Sequence, residues 1–229
     1  MIRRDPRAPS IGRAFRVLVP SLLLAGFASG AETPPPAAPN APPAAPRHDA
    51  DCAEAWRIDG WCEARGAGYV AGVAIPSRLL YETLDAHGHV LDLTTFSCPT
   101  CRKAIETDGF CEEHRIGFVK KLAYFSRLTY EIGRGERVDP KEFRCAACRR
   151  HAEAGFGWCA KHRTGMIGSA AIRDRAAWDR AAAAVDVLKS AVAMLPRCEH
   201  CAVAMVTDTE CWDHKITYRG GKPLPRPGS

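Results

Sequence analysis

"CPTCRKAIETDGFCEEH", residues 98–114, contains a Cys-x-x-Cys pair followed nine residues later by Cys-x-x-His. Pairs of this kind hold a metal ion, close disulfides or carry out thiol–disulfide exchange. Each use predicts a different kind of protein, and the stretch alone does not separate them. The whole chain has 11 cysteines in 229 residues, and their arrangement distinguishes the three uses.

The motif recurs twice more at nearly the same spacing, with one additional residue in the middle copy. The three complete sets are Cys98, Cys101, Cys111 and His114; Cys145, Cys148, Cys159 and His162; and Cys198, Cys201, Cys211 and His214. A degenerate copy lies upstream, where Cys52 and Cys62 keep the nine-residue gap. Asp49 and Arg65 stand there in place of the first Cys and the His. The second cysteines recur about every fifty residues, a period typical of repeat architectures.

Three thiolates and one imidazole form a donor set that suits a closed, tetrahedral Zn²⁺ site. We predict that Cys111 and His114, like Cys159 and His162, lie on the first turn of a helix. A knuckle and hairpin followed by such a helix resembles the treble-clef and zinc-ribbon class of zinc fingers. The resemblance covers about seventeen residues per copy and implies structural zinc, about three ions per chain.

Disulfide bonding throughout is the second interpretation. Eleven cysteines cannot all pair within one chain, and disulfides do not explain a His at the fourth position in three copies. Three Cys3His sites leave Cys52 and Cys62, so we predict a disulfide between these two. A thioredoxin-like redox site would require a βαβ context, and no apolar strand precedes the Cys-x-x-Cys pairs.

The predicted fold class is α+β and predominantly helical, with four tandem repeats of a short β-hairpin knuckle followed by a helix. Asp59-Gly60 and Asp108-Gly109 predict the hairpin turns, and Ala-rich or amphipathic segments after the second pairs predict the helices. The predicted repeats are 49–97 (degenerate), 98–144, 145–197 and 198–218 (truncated), with a disordered tail at 219–229.

The N-terminus has the pattern of a secretory signal peptide: arginines, then the apolar run "VLVPSLLLAGFA", then small residues. Ala28 and Gly30 fit a cleavage site before Ala31. Residues 1–30 are therefore predicted to be removed, 31–48 to be a Pro/Ala-rich linker, and the mature protein to be periplasmic or extracellular. The apolar run is shorter than the roughly 20 residues of a membrane span, so no span is expected after cleavage.

Charge argues against a nucleic-acid partner. Residues 1–30 carry five of the 32 basic and one of the 26 acidic residues, which leaves a net charge of +2 with no basic cluster. Closed metal sites and the absence of a catalytic motif predict that the protein is not an enzyme. We expect a zinc-stabilised scaffold that binds an unidentified protein; buffering or delivery of Zn²⁺ or Cu(I) is the alternative, and thiol–disulfide exchange ranks third.

Overall fold

Each cysteine repeat folds as a short helix, a small antiparallel sheet and, in three of the four repeats, a second helix. The computed structural model describes residues 50–225. Repeat 1 consists of α1 (Ala50–Ile58), β1 (Trp61–Cys62), β2 (Ala67–Val70), β3 (Val73–Ile75) and α2 (Arg78–Leu84). Repeat 2 consists of β4 (His89–Val90), α3 (Pro99–Glu106), β5 (Phe110–Cys111), β6 (Ile116–Val119), β7 (Leu122–Tyr124) and α4 (Arg127–Gly133).

Repeats 3 and 4 follow the same order, but repeat 4 ends after its hairpin. Repeat 3 consists of β8 (Glu136–Arg137), α5 (Ala146–Ala154), β9 (Phe156–Cys159), β10 (Thr164–Ile167), β11 (Ala170–Ile172) and α6 (Arg175–Met194). Repeat 4 consists of α7 (Glu199–Thr207), β12 (Tyr218–Arg219) and β13 (Lys222–Pro223). All strand pairs are antiparallel, and β4 and β8 extend the sheets of repeats 2 and 3.

The order of helix and hairpin differs from the prediction. The first cysteine pair opens a helix, and the second pair leads into a hairpin. Cys111 ends β5 and His114 lies in the following turn, so the predicted placement of these residues on a first helical turn is wrong, as it is for Cys159 and His162. Helices account for 42% and strands for 22% of the described residues. The fold is therefore mixed α/β, and a predominantly helical chain is not confirmed.

An unusual turn explains why a helix was wrongly predicted directly after the second cysteine pair of repeat 2. Lys120 and Lys121 both adopt positive φ, at 50° and 68°, and they form the two-residue connection between β6 and β7. Such turns are normally marked by Asn-Gly or Gly-Gly, because non-glycine residues pay a steric cost at positive φ. Without that signal, residues 112–132 give a continuous helical pattern.

An aspartate compensates for this turn. Asp108, itself at φ 49°, accepts the Lys120 N–H at 2.8 Å. Asp59 accepts the Ala71 N–H at 2.8 Å and Asp208 accepts the Gly220 N–H at 2.6 Å at the equivalent places. In repeat 3 a glycine replaces the aspartate, and its main-chain carbonyl accepts the turn N–H instead. Each repeat therefore fixes its hairpin turn from the end of its first helix.

A glycine–aromatic contact packs the second helix onto each sheet. A Cβ added to Gly117 would lie 2.3 Å from the Tyr130 ring, and one on Gly165 would lie 2.0 Å from Trp178. The matching pair in repeat 1 is Gly68 and Tyr81. Repeat 4 has no second helix, and Thr217 occupies the glycine position there. The small residue is required only where a helix covers the strand.

The four repeats share a core built around α6. Its buried face includes Ala181, Val185 and Leu188, which belong to one apolar cluster with side chains of α2, α4 and α7. Repeat 2 has a separate small cluster around Cys101 and Phe118. The repeats thus pack around a central helix, and the metal motifs lie at the ends of the elements that surround it.

Two sequence predictions fall at the ends of the chain. The signal peptide at 1–30 and the linker at 31–48 lie outside the described residues. The hairpin of β12 and β13, with Gly220 and Gly221 at positive φ, extends ordered chain to Pro223, past the predicted boundary at 218.

Within residues 50–225, no helix combines the length and the apolarity that a membrane crossing requires.

Candidate metal centres

Each complete repeat brings its three cysteines and one histidine together. Within each group, one ligand atom per residue can be chosen so that all four atoms lie within 4.8 Å of one another. The groups are Cys98, Cys101, Cys111 and His114 (site 2); Cys145, Cys148, Cys159 and His162 (site 3); and Cys198, Cys201, Cys211 and His214 (site 4). These are the three sets that the spacing predicts, and each can hold a metal ion.

The distances within the groups match the edges of a tetrahedron. With Zn–S near 2.3 Å and Zn–N near 2.0 Å, sulfur and nitrogen ligands lie about 3.5 Å apart and two sulfurs about 3.8 Å apart. His114 Nδ1 lies 3.4 Å from Cys101 Sγ and 3.7 Å from Cys111 Sγ. In site 4, Cys198 Sγ lies 3.9 Å from Cys211 Sγ. The spacing therefore fits a central ion of zinc's size.

The other two histidines repeat this geometry. His162 Nδ1 lies 3.3 Å from Cys148 Sγ and 3.6 Å from Cys159 Sγ. His214 Nδ1 lies 3.4 Å from Cys201 Sγ and 3.6 Å from Cys211 Sγ. All three imidazoles face their cysteines through the same nitrogen, so the three sites are copies of one arrangement.

Local backbone structure places each donor. In site 2, Cys98 is the N-cap of α3, Cys101 lies in its first turn, and Pro99 occupies the first helical positions, where proline is favoured. Cys111 ends β5, and Arg115, directly after His114, has φ 56°. Arg163 and Lys215 have positive φ at the same point of sites 3 and 4. That left-handed residue reverses the chain so that the fourth donor meets the other three.

Main-chain N–H groups donate to the sulfur of the first cysteine in sites 2 and 4. The Cys101 N–H points at Cys98 Sγ at 3.5 Å, and the Cys201 N–H points at Cys198 Sγ at 3.3 Å. In site 3, donation from the Cys148 N–H is the main cause that lowers the pKa of Cys145 to about 6. The first cysteine therefore sits where a helix N-terminus favours a thiolate.

The sulfur of the second cysteine in each set is in the opposite situation. Burial, with a smaller contribution from the neighbouring thiols, raises the pKa of Cys101 to about 12. Burial raises the pKa of Cys148 and of Cys201 to about 12 as well. Three thiolates cannot share one small buried space without a positive charge between them. The donor set therefore fits a cation that supplies that charge, and soft thiolates with imidazole suit zinc.

Carboxylates lie beside two of the sites, and the sequence reading missed them. The Cys98 thiol points at Glu113 Oε2 at 3.5 Å, and the Cys198 thiol points at Asp213 Oδ2 at 3.7 Å. Asp213 also binds His200 Nδ1 at 2.7 Å, which raises the pKa of His200. Site 3 has Lys161 at the position of Glu113 and Asp213. In the sequence, the presence or absence of a carboxylate beside the site is marked only by the residue directly before the histidine, which differs in each copy.

Repeat 1 carries a covalent cross-link where the other repeats carry donor sets. Cys52, in α1, and Cys62, at the end of β1, form a disulfide with a Cα–Cα distance of 5.4 Å. These two positions correspond to the second and third cysteines of the other sites. All nine remaining cysteines are free thiols, and they are the nine that belong to the three Cys3His groups.

Comparison of the chain with protein-family models, with characterised proteins and with solved structures gives no match. The three Cys3His groups are therefore the basis for assigning a function.

Proposed function

We propose that this is an exported zinc protein, not an enzyme, whose three Cys3His sites hold a protein-interaction scaffold together. One observation carries the proposal: every donor set joins the start of a short helix to the hairpin that follows it. Elements of two to nine residues bury too little apolar surface to be stable alone. Zinc at a structural site contributes on the order of 10 kcal/mol to folding, enough to stabilise such a unit.

The completeness of the donor sets supports a non-catalytic role. A catalytic zinc ion keeps one position for water or substrate, whereas four protein donors fill a tetrahedral ion. Each of the three groups supplies four donors. Zinc bound there would cross-link the chain and would not activate a water molecule.

Contacts between repeats support a rigid scaffold. Ser77 Oγ in repeat 1 donates to Glu199 Oε1 in repeat 4 at 2.5 Å. Arg115, next to the site 2 histidine, binds the Asp208 carboxylate of repeat 4 at 2.5 Å and its carbonyl at 2.8 Å. These bonds place the ends of α7 against two other repeats. Sites 2 and 4 are therefore parts of one connected framework.

Two features support export, and two others support a protein partner. The signal-like N-terminus and the Cys52–Cys62 disulfide both fit an oxidising periplasmic or extracellular location. The nearly balanced charge of residues 31–229 offers no electrostatic basis for binding nucleic acid. A folded surface presented on a Pro/Ala-rich tether suits recognition of another protein.

Metal buffering or delivery, of Zn²⁺ or Cu(I), is the second candidate. Exposure of His114, His162 and His214, together with the carboxylates at Cys98 and Cys198, favours it. An exposed imidazole gives a competing chelator access to the ion, and a neighbouring carboxylate opposes the negative charge of a zinc-bound Cys3His set. Sites 2 and 4 would then release metal before site 3.

A chelator titration separates the two functions. Under a reductant that leaves folded disulfides intact, bound zinc and helical circular dichroism are followed together as chelator is added. A structural role predicts that the helical signal falls in step with zinc loss. A protein that releases all its zinc while the signal is unchanged would be a carrier and not a zinc-held scaffold.

A further inference from the structure

Repeat 1 carries a disulfide in a backbone frame that other repeats share. Its backbone frame is the same as that of repeats 2 and 4. In all three, the residue after the left-handed aspartate donates its N–H to the helix carbonyl five residues earlier and accepts an N–H from the central strand. The N–H to helix-carbonyl distances are 2.7 Å for Gly60 to Ala55, 2.7 Å for Gly109 to Ala104 and 3.1 Å for Thr209 to Ala204. The distances from the strand N–H to the carbonyl of that same residue are 2.9 Å for Tyr69 to Gly60, 2.8 Å for Phe118 to Gly109 and 2.8 Å for Tyr218 to Thr209.

This frame determines where the second and third cysteines lie. In repeat 1 it places Cys52 and Cys62 with Cα atoms 5.4 Å apart, inside the range of about 4.4–6.8 Å that a disulfide requires. In repeats 2 and 4 the same bonds hold the equivalent cysteines, whose sulfurs already lie within 4.8 Å of each other. We therefore expect side-chain rotation to bring these sulfurs to bonding distance.

We propose that the second and third cysteines of each Cys3His site are a disulfide pair in the metal-free protein, and that the first cysteine is the nucleophile that opens and closes it. The pairs are Cys101–Cys111 and Cys201–Cys211, which the frame bonds hold, and Cys148–Cys159, which is included because its sulfurs lie within 4.8 Å of each other. The proposal deepens the proposed function and rests on it, since the same residues hold metal in the reduced protein. The oxidant is a small-molecule disulfide such as oxidised glutathione.

Accessibility sets the order of the steps. Cys101 is 1% exposed and Cys111 is fully buried, whereas Cys98 is partly exposed. The Cys98 thiolate attacks the small disulfide, which forms a mixed disulfide and releases one small thiol. Cys101 then attacks Cys98 Sγ and releases the second small thiol. Finally Cys111 attacks Cys101 Sγ and returns Cys98 as a thiolate, so two cysteines are oxidised and one small disulfide is reduced to two thiols.

Two arguments select the Cys101–Cys111 pair as the product. A Cys98–Cys101 bond would close only one helical turn and leave the hairpin without a cross-link. A Cys101–Cys111 bond joins α3 to β5, as a metal ion would, and gains more from the loop that it closes. Repeat 1 has this second connectivity. It also has no third cysteine and both of its sulfurs are buried, so its disulfide should resist exchange while the other three are reversible.

Disulfide mapping tests the product. The folded, zinc-loaded full chain is treated with a chelator while oxidised glutathione is already present, then quenched in acid, digested and analysed by mass spectrometry. We expect the three pairs named above beside Cys52–Cys62, with Cys98, Cys145 and Cys198 as free thiols or glutathione adducts. Dominant pairing of Cys98 with Cys101, or pairing between repeats, would overturn the proposal.

Two variants test the mechanism. Cys98→Ser should give the same Cys101–Cys111 product, but its formation should lag well behind that of repeats 3 and 4, which act as controls in the same molecule. Cys98→Asp combined with His114→Arg gives repeat 2 the residues of repeat 1, and we expect one zinc fewer and a Cys101–Cys111 disulfide that keeps the helical signal after oxidation. Unchanged oxidation of repeat 2 in Cys98→Ser would exclude Cys98 as the entry point.

The zinc content of the reduced wild-type chain shows whether a negative result contradicts the disulfide inference or the proposed zinc function. Three zinc ions with different disulfide pairs would contradict this inference alone. The expected pairs without any zinc binding would contradict the proposed function and leave the disulfide chemistry standing.

Discussion

Repeats 1 and 2 have the same backbone but different cross-links. Both have a helix that ends at a left-handed aspartate, a three-stranded core and a glycine packed under a tyrosine. Repeat 1 closes this frame with one disulfide, and repeat 2 brings together four side chains that can hold a metal ion. The comparison shows that turns and aromatic packing are common to the two repeats, and we expect the cross-link to supply the stability that the small core lacks.

Removal of all metal under reducing conditions is expected to have the largest effect. Structural zinc contributes on the order of 10 kcal/mol per site in zinc-finger peptides, whereas a typical domain is stable by only about 5–15 kcal/mol. Repeats 2 to 4 should therefore unfold, which circular dichroism would show as loss of most helical signal. The same chain, metal-free but oxidised, should keep that signal. If the reduced, metal-free chain stays folded, the sites do not stabilise it.

Loss of metal from site 4 should destabilise more of the protein than loss of metal from site 2. Cys201 belongs to the central cluster around α6, whereas Cys101 belongs to the separate cluster of repeat 2. Cys201→Ser should remove one zinc ion and lower the main thermal transition by ten degrees or more, on the order expected for a loss of several kcal/mol. Its matched control, Cys101→Ser, should also remove one zinc ion but leave most of that transition in place. Equal effects would show that the two sites are equally coupled to the core.

Loss of the repeat 1 disulfide should have a smaller effect. Replacing both Cys52 and Cys62 by Ser frees a loop of about ten residues, which corresponds to about 3 kcal/mol in the chain-entropy account. Urea unfolding measures this change. The zinc content should stay at the wild-type value, because neither residue belongs to a Cys3His group. A fall in zinc content would show that repeat 1 supports the other sites.

The smallest effect should come from the glycine–aromatic contact. Gly117→Ala places a Cβ 2.3 Å from the Tyr130 ring, and such overpacking costs about 1–3 kcal/mol. Gly66→Ala is the control, since a Cβ there meets nothing within 4 Å and bears only the strain of φ 57°. Urea unfolding of both variants would show whether Gly117 costs more. Equal losses would mean that the tyrosine moves aside freely.

The donor groups could be predicted from the sequence because ligand spacing is a local property. Cys98 and Cys101 are three residues apart wherever they lie, and the histidine at the fourth position recurs in three copies. The partition of the cysteines followed from counting them. None of this required a correct secondary structure, which is why a wrong helix assignment left the three donor sets unchanged.

The order of the elements could not be predicted, because its signals lie in backbone conformation and tertiary packing. Lys120 and Lys121 adopt a turn that their side chains do not favour, and the Asp108 carboxylate twelve residues earlier caps it. The role of Gly117 becomes clear only when the Tyr130 ring is seen above it. In contrast, Gly220-Gly221 did mark the last hairpin in the sequence, and that signal was missed.

Native mass spectrometry of protein purified from its own compartment tests the central claim most directly. The account predicts a chain that carries three zinc ions and one disulfide, with Cys52 and Cys62 unreactive to alkylation before reduction and the other nine cysteines protected by metal. A chain that carries no metal and whose nine cysteines are all freely alkylated would contradict it.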